Sequence, residues 1–512
     1  MGYNSRMQST SLRVLYVVFG IIALALLAFQ LYFLDSYSIW HDEAFSGLLV
    51  QYDLGEMLHR ISLDVHPPLY YLLLRAWTDL LGNTTFTLRL FSVLLGCIAT
   101  YLTWRVAYFL TRNKELAYAS AFLFFANSFV IQHNMEARMY TLGISLILGT
   151  LLSALTALNR TGTDRWKMWG SFTLFASAAL YTHYYTAFYI VAIGIAALLL
   201  IWSQKKMGGD YIASIKGLFG SAVLVGILYI PWLPTFLKQA QQVTEDYWIG
   251  AMTWWSIPKT LWKLLTGVDA HPGYGIQIFK NAFSWANALY ILIALLAIAF
   301  YALLRTTQPR LRPVLLPLLF FPFIASAIVS ARTSIFLERY FIYSVPFLAI
   351  LLVVAVHHIS RSWIKYSALT ILLLGTALSF PLRFYGLDIS QKPGMRAAAA
   401  FLNANVTTND TVVVSTSYIF FTHRYYNTLP QRHLLLGKNL THYSGTALIS
   451  AEEVVPDFES IKKTGTIWKI DTTGFGNFQP DVPPSWQQLS EHRFEDVYDF
   501  RGTIIVREYL VE

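Results

Sequence analysis

The chain has 512 residues, of which 55% are apolar, 16% aromatic and only 13% charged, with a formal net charge of +9. Soluble domains carry about 25% charged residues, so a water-soluble enzyme, a disordered chain and a disulfide-rich secreted scaffold are all excluded. The composition is that of a mostly α-helical, polytopic membrane protein, and no basic stripe suggests a nucleic-acid partner.

Apolar runs long enough to cross a bilayer recur along the first three quarters of the chain. A spanning helix needs about 20 apolar residues, because its backbone must satisfy its own hydrogen bonds in lipid. The first run is too long for a signal peptide and lacks an A-x-A cleavage pattern, so we interpret it as an uncleaved span. The sequence predicts eleven spans, near residues 14–34, 87–110, 116–132, 139–158, 168–183, 186–202, 217–235, 286–304, 313–330, 341–357 and 363–382.

Lysine and arginine are concentrated in alternate connections between these spans. One set of connections holds sixteen basic and three acidic residues. Such enrichment in short loops marks the cytoplasmic side. We therefore predict an inner (plasma) membrane protein with a cytoplasmic amino terminus and, after eleven crossings, a carboxyl terminus outside.

The outer side carries the longer connections. The first, from about residue 35 to 86, contains two amphipathic stretches, Leu54–Leu63 and Pro68–Leu81, which we predict to be helices on the membrane interface. A later segment contains four tryptophans, which suit the headgroup belt: Trp248, Trp254, Trp255 and Trp262.

The composition after Phe384 is that of a soluble domain. We therefore divide the chain into a membrane domain, residues 1–385, and an extracytoplasmic domain, residues 386–512. Helices are predicted at 394–403, 417–426 and 452–463, and strands at 411–415, 465–470 and 502–507. Alternating elements indicate a small α/β domain, for which we predict acceptor docking or packing without catalytic residues.

Two adjacent carboxylates follow the first span, in Trp40-His41-Asp42-Glu43-Ala44. Carboxylates at a membrane boundary are costly unless they are paired, metal-bound or hydrated. A solvated loop start with an incidental acidic pair is the alternative. About twenty residues later, the double proline in Asp64-Val65-His66-Pro67-Pro68 holds His66 at a helix entry. That histidine is either a site residue or part of an interfacial helix start.

Further ionisable residues lie in the next outer turns. Glu136 and Arg138 lie between two spans with almost no linker, where they need a ligand or form an ion pair with each other. Arg332 and Arg339 suit a lipid phosphate, although snorkelling to ordinary phospholipid accounts for them equally well. The remaining substrate-site candidates of these turns, besides His66, are Tyr140 and His183.

The ordered motifs WHDEA, DVHPPLYYLLL, LRLFSVLLG, EARMYTLGISL, YTHYYTAFY and ERYFIYSVP resemble the bacterial family-39 glycosyltransferases. These are relatives of protein O-mannosyltransferases and of the lipid A aminoarabinose transferase, and they have the multi-spanning GT-C architecture. The resemblance covers about residues 12–385. It implies transfer of a sugar from a polyprenyl-phosphate carrier on the non-cytoplasmic face, with the acidic pair Asp42 and Glu43 as the catalytic signature and with Glu136 and Arg138 in the site.

This implied reaction assigns roles to the candidates. Asp42 is the predicted general base in an inverting displacement, and Arg138, with Arg332 and Arg339, is predicted to bind the donor phosphate. A divalent metal (Mg, Mn or Zn) would be held by Glu43, Glu136 and His66. No nucleotide cofactor is expected. The partners are membrane lipids, the lipid-linked donor and a lipid, glycan or protein acceptor.

A lipid-linked sugar transporter or flippase is the alternative function. Transporters place ionisable residues near the bilayer midplane, on broken helices related by internal repeats. Here the charges crowd the outer boundary and no repeat is visible, which favours the enzyme.

Overall fold

The computed structural model of the protein describes residues 2–206, 210–267, 303, 305–306, 308–384, 392–431, 433–438, 440–461, 465–497 and 501–511. Most of these residues are helical, and a small sheet domain lies at the carboxyl end. The helices are α1 Gly2–Phe33, α2 His41–Leu49, α3 Leu54–Leu63, α4 Leu69–Leu81, α5 Thr85–Thr111, α6 Lys114–Phe125, α7 Ser128–Asn134, α8 Tyr140–Ala157, α9 Gly162–Leu180, α10 Thr186–Lys206, α11 Tyr211–Tyr229, α12 Leu233–Glu245, α13 Ser256–Thr266, α14 Leu311–Ser330, α15 Val345–His358, α16 Ser362–Phe384, α17 Gly394–Asn405 and α18 Ser417–Tyr426.

The predicted spans correspond to helices wherever the structure describes them. Eight segments of the described ranges are long and apolar enough to cross a membrane: Tyr16–Phe33, Thr85–Thr111, Tyr140–Ala157, Thr186–Lys206, Tyr211–Glu245, Leu311–Ser330, Glu338–His358 and Ser362–Phe380. The prediction at 116–132 corresponds to α6 and α7, which together form a ninth candidate bent by 62°. The prediction at 168–183 corresponds to α9, which is helical but is not among these candidate spans, and the one at 286–304 lies outside the described residues. The chain is a multi-pass membrane protein.

The bend between α6 and α7 has a local cause. The side chain of Asn127 accepts hydrogen bonds from the backbone nitrogens of Phe129 and Val130, which starts a new helix at α7. The same side chain donates to the carbonyl of Leu264 in α13 at 2.8 Å. The bend is therefore fixed to the outer segment that contains α13.

Two segments form the centre of the membrane domain. The windows of α8 and of Glu338–His358 are each 83% buried inside the protein, whereas that of Tyr16–Phe33 is only 6% buried. The two central segments approach closely, because a side chain at Gly143 of α8 would collide with the ring of Tyr343. Both therefore bring their outer ends to one place.

The first outer connection folds into three short helices. The predicted helices at 54–63 and 68–81 are confirmed as α3 and α4, and α3 begins where Asp53 accepts a hydrogen bond from the Glu56 backbone. The alternative of a solvated loop start after the first span is wrong, since α2 begins at His41. Asp42 and Glu43 therefore lie in the first turn of a helix.

The carboxyl-terminal domain is built on a six-stranded sheet of order β3-β2-β1-β4-β6-β5. Strand β1 is parallel to β2 and β4, and β6 is antiparallel to β4 and β5. The predicted boundary at residue 385 lies outside the described residues. The strands are β1 Thr411–Val414, β2 Leu434–Leu436, β3 Val454–Val455, β4 Gly465–Thr472, β5 Gln487–Glu495 and β6 Thr503–Val511.

One predicted element of this domain is wrong. In the described part of the segment expected to be a helix at 452–463, the chain instead forms a 3-10 turn, Ala451–Glu453, and then the short strand β3. Pro456 directly follows β3, and the residue before a proline is driven towards extended backbone, so a helix cannot run through it. The edge strand β5 was missed because it is mostly polar and exposed.

Candidate active site

A cavity of about 290 Å³ lies where the outer ends of the membrane helices meet the carboxyl-terminal domain. The membrane domain contributes acidic and basic side chains from α2, from the second outer turn and from the turn before α15. The carboxyl-terminal domain contributes aromatic side chains. The lining includes Trp40, His41, Asp42, Asp64, His66, Arg138, Tyr140, Tyr247, Trp248, Arg339, Tyr340, Tyr418, Tyr443 and Phe475.

Asp42 projects into this cavity from the first turn of α2. Its side chain is 22% exposed, and the closest approaches of Arg339 and Arg138 are to the same oxygen, Oδ2, at 3.6 and 3.9 Å. Burial alone would raise the pKa of the Asp42 carboxyl, but the arginines outweigh burial and hold this pKa below its ordinary value. Asp42 is therefore an ionised carboxylate between two cations.

Glu43 points the opposite way and does not line the cavity. It is fully buried and receives two hydrogen bonds from Arg89, at 2.8 and 2.7 Å. The backbone nitrogens of Ala137 and Trp40 donate to the same carboxylate at 3.0 and 3.3 Å. Four donors occupy its oxygens, so Glu43 holds the backbone around the site rather than presenting a catalytic or metal-binding carboxylate.

Arg138 is fixed by a chain of polar contacts on the membrane side of the cavity. It lies 3.2 Å from Nε2 of His66, whose Nδ1 lies 2.8 Å from the carboxylate of Asp64. Because a guanidinium group only donates, Nε2 of His66 accepts from Arg138 and Nδ1 donates to Asp64. Arg138 also donates to the backbone carbonyl of Asp42 at 3.3 Å. The cation is thus held beside Asp42 from two sides.

The predicted metal ligands Glu43, Glu136 and His66 are not brought together. Glu136 does not line the cavity; it accepts hydrogen bonds from Gln132 and His133 at 2.8 and 2.9 Å. Burial raises the pKa of Glu136, but His133, the hydrogen bond from Gln132 and the charge of Arg339 together outweigh burial, and the pKa falls to about 2. In the described part of the chain, no group of three or more histidine, cysteine, aspartate or glutamate side chains is arranged to hold a metal ion. The alternative of an ion pair between Glu136 and Arg138 is wrong, because the Glu136 carboxylate is hydrogen-bonded to His133 and Gln132 instead.

The other predicted site residues divide between the cavity and its surroundings. Arg339 and Tyr140 line it, and the Arg339 guanidinium lies 5.3 Å from the centre of the Trp248 ring. Arg332 is exposed and lies outside the lining. His183 lines a second cavity, which is apolar, has a volume of about 500 Å³, and shares His66 and Tyr340 with the first.

The aromatic wall from the carboxyl-terminal domain was not anticipated. Tyr418 lies in the first turn of α18, which packs against α2, and the Ser417 carbonyl lies 3.1 Å from Nδ1 of His41. Tyr443 and Phe475 complete the wall. These residues lie more than 370 positions after Asp42, and aromatic side chains are common throughout this chain, so the sequence held no signal that marked them.

Comparison with known proteins finds the same architecture. Residues 65–234 match the family model described as dolichyl-phosphate-mannose-protein mannosyltransferase, which is about a third of the chain. The crystal structure of ArnT from Cupriavidus metallidurans bound to undecaprenyl phosphate is similar over 96% of this chain and 97% of that chain, with a TM-score of 0.63 and 14% identity. Its apo state is similar over 97% and 98%, with a TM-score of 0.61 and 13% identity. Among curated proteins, no sequence matches this chain.

The family-model match confirms the resemblance seen in the sequence, and the shared fold confirms the predicted architecture of membrane helices with a small carboxyl-terminal α/β domain. Together they indicate a membrane glycosyltransferase of the GT-C type.

The buried pair between Glu43 and Arg89 generates a stability prediction. Replacing Arg89 with Met leaves the Glu43 charge buried without its partner, which we expect to cost about 3–5 kcal/mol. The midpoint of thermal unfolding of the purified protein in detergent, followed by tryptophan fluorescence, measures the loss.

The matched control is Glu56→Gln, which breaks the partly exposed pair with Arg60 and should cost less than about 1 kcal/mol. The double variant Arg89→Met/Glu43→Leu should regain part of the loss, because no charge is left buried. Equal losses in Arg89→Met and Glu56→Gln would contradict this account.

Proposed function

We propose that the protein transfers a sugar from a polyprenyl-phosphate-sugar donor to an acceptor hydroxyl on the non-cytoplasmic face, with inversion and with Asp42 as the general base. The observation that carries the proposal is the Asp42 carboxylate, which faces a cavity between Arg138 and Arg339. In this cavity the Asp42 carboxylate can accept a proton, while the guanidinium groups of Arg138 and Arg339 can bind a phosphate.

The two adjoining cavities suit the two halves of such a donor. The first carries the arginines, whose planar guanidinium groups match phosphate oxygens. The second is lined mainly by apolar and aromatic side chains and suits the first units of a prenyl chain. The ArnT structure of similar fold is bound to undecaprenyl phosphate, a ligand of this chemistry.

The transfer is a single displacement at the anomeric carbon. The acceptor oxygen forms the new glycosidic bond, its proton passes to Asp42, and the bond between the anomeric carbon and the phosphate oxygen breaks. The electron pair of that bond leaves with the polyprenyl phosphate, whose developing charge Arg138 and Arg339 stabilise. Attack opposite the leaving group inverts the configuration.

The arginines also couple donor binding to the basicity of Asp42. In the free protein they lower the pKa of this carboxyl. A donor phosphate placed against the same arginines offsets their positive charge and adds a negative one, and both effects raise the pKa of Asp42. Asp42 therefore becomes a stronger base when the donor is bound.

The positive charge that the reaction needs at the leaving group is present in the protein itself. The residues expected to bind a metal are engaged elsewhere: Glu43 with Arg89, Glu136 with His133, and His66 with Arg138. They do not fit a shared ion, so no step of the proposed reaction passes through a metal.

The orientation of the site follows from the loop charges. Short connections rich in lysine and arginine remain in the cytoplasm, which places α2, the cavity and the carboxyl-terminal domain on the opposite side of the inner membrane. No nucleotide sugar is maintained there, so a lipid-linked donor is the activated form available to the site.

Replacing Asp42 with Asn removes the proton acceptor and should lower the transfer rate by about 10³-fold, since a general base contributes about 10²–10⁴-fold. The assay follows release of polyprenyl phosphate from lipid-linked sugars extracted from the source membranes, using purified protein in detergent. Activity in detergent also separates the enzyme from a flippase, which would need a sealed vesicle.

Asp79→Asn, an exposed carboxylate of the same outer connection, is the matched control and should retain the wild-type rate. The unfolding midpoint of Asp42→Asn should stay close to that of the wild type. Turnover of Asp42→Asn within threefold of wild type would remove Asp42 from the mechanism.

The arginine beside Asp42 predicts a shift in the pH dependence. Arg339 lowers the pKa of Asp42, and the base acts only when it is deprotonated. Arg339→Gln should therefore raise that pKa, so the fall of kcat/KM on the acid side begins at a higher pH. Arg332→Gln, an exposed cation of the same outer turn, should leave the acid limb in place. An unchanged limb in Arg339→Gln would contradict the electrostatic role of Arg339.

The membrane orientation can be tested by labelling. In a Cys97→Ala background, cysteine is introduced at Glu459 in the carboxyl-terminal domain or at Asp164 in a connection predicted to be cytoplasmic, and both positions are exposed. A membrane-impermeant maleimide should label the first in intact cells and the second only after permeabilisation. The reverse pattern would contradict the proposed side of the reaction.

A further inference from the structure

A loop of the carboxyl-terminal domain holds an aromatic side chain in an unfavourable backbone conformation. Phe475 follows β4 and has a φ of +55°, in the left-handed region that bulky residues avoid. The loop needs glycines on both sides of it: a side chain at Gly474 would collide with the carbonyl of Arg501, and Gly476 has a φ of +112°. Backbone strain of this kind persists only where the surroundings enforce it, and it concentrates at ligand clamps.

The loop is tied at both ends, so the strained residue is held firmly. The Thr472 nitrogen donates to the carbonyl of Phe478 at 3.2 Å and closes the loop on itself. Thr473 exchanges two hydrogen bonds with Thr503 of β6, at 3.1 and 2.8 Å. Phe475 is therefore presented by a rigid turn and lines the cavity of Asp42.

Phe475 and Tyr418 stack on each other and form one aromatic unit in the cavity wall, which we call the aromatic platform. Their ring centres are 5.3 Å apart and their planes are 9° from parallel. Phe478 supports Tyr418 from another side at 5.8 Å, and the ring of His41, next to Asp42, lies 5.7 Å from Tyr418. The platform thus stands close to the residue that precedes the proposed base.

The position of the platform in the domain is that of a ligand site. From β1 to β3 the chain adds strands on one side of β1. The next strand, β4, lies on the other side of β1, so the strand order reverses between β1 and β4. Tyr418 follows the carboxyl end of β1 and Phe475 follows that of β4. Ligands of open α/β sheets bind at the carboxyl ends of the strands on either side of such a reversal.

We propose that the aromatic platform of Phe475 and Tyr418 is the acceptor subsite and that the acceptor it takes is a pyranose ring rather than a peptide. This inference rests on the proposed function. The partially positive C–H groups on one face of a pyranose lie against the negative face of an aromatic ring. A peptide bound as an added strand needs a free sheet edge, and the edges of the described sheet are β3 and β5, whereas the platform follows the inner strands β1 and β4.

The platform also lies apart from the second, apolar cavity proposed for the prenyl chain. The two cavities share four lining residues, all from the membrane domain, and neither Phe475 nor Tyr418 is among them. A ring stacked on the platform therefore reaches Asp42 from the side of the carboxyl-terminal domain, while the donor approaches from the membrane.

Binding of small glycosides to the full-length protein tests the proposal. Saturation-transfer-difference NMR in lipid nanodiscs is run with methyl α-D-mannopyranoside, methyl α-D-glucopyranoside and methyl β-D-galactopyranoside, and with an acetylated peptide that contains Ser and Thr. We expect at least one glycoside to bind through its ring C–H protons and the peptide not to bind. Phe475→Ala and Tyr418→Ala should weaken that binding about five- to tenfold, whereas Phe475→Trp should retain it.

Two further variants distinguish binding from packing. Phe475→Gly should lose glycoside binding while its unfolding midpoint stays equal or rises, because glycine relieves the positive φ. Phe494→Ala, an aromatic residue of edge strand β5, should leave binding unchanged. A lower unfolding midpoint in Phe475→Gly would overturn the proposal, since the residue would then serve packing.

Two other binding results also overturn the proposal: binding of the peptide in a Phe475-dependent manner, or no binding of any of the three glycosides to the wild type. Loss of glycoside binding when undecaprenyl-phosphate mannose is added would overturn it as well, because that result would assign the platform to the donor sugar. The failure of the proposed function is separate, because it would appear as absence of donor turnover, and these binding measurements do not depend on turnover.

Discussion

The site depends on one buried ion pair, between Glu43 and Arg89. Adjacent residues of a helix point about 100° apart, so fixing one of them directs the other. Arg89 pulls Glu43 into the protein with two short hydrogen bonds, and Asp42 is consequently turned into the cavity. Arg89 also donates to the carbonyls of Leu34, Tyr37 and Ser38. One guanidinium group therefore sets both the path of the chain out of the first span and the direction of the proposed base.

The same connection joins the two domains. The carbonyl of Ser38 accepts hydrogen bonds from Arg89 of the membrane domain, at 3.2 Å, and from Arg501 of the carboxyl-terminal domain, at 3.0 Å. Arg501 also supplies the carbonyl that Gly474 approaches in the loop of Phe475. The Asp42 side of the cavity and its aromatic wall are thus both fixed by hydrogen bonds to the same short stretch of backbone, at Ser38. This explains how residues so far apart in sequence can share a cavity of about 290 Å³.

The parts of the fold that follow from local composition were predictable, and those that follow from tertiary pairing were not. Hydropathy located the described spans, and the change after Phe384 indicated the outer domain. Two adjacent carboxylates look alike in sequence, however, and the ion pair with Arg89, 46 positions away, turns Glu43 inward and leaves Asp42 facing the cavity. The polar edge strand β5 carries no apolar alternation, and the short β3 lies inside the segment 452–463 that was predicted to be a helix and that Pro456 interrupts.

The charges of the cavity argue for an order of events. Asp42 lies against two cations, Arg138 and Arg339, in a partly enclosed space, and a neutral hydroxyl compound cannot offset the charge of these arginines. An anionic phosphate can, and by doing so it also strengthens the base that the hydroxyl needs. An acceptor that binds before the donor meets a weakly basic Asp42, because its carboxylate lies against two cations. An acceptor that binds after the donor meets a more basic Asp42, because the donor phosphate offsets part of the positive charge of those cations. The arrangement therefore favours a donor that binds before the acceptor, with the proton transfer delayed until the sugar to be moved is in place.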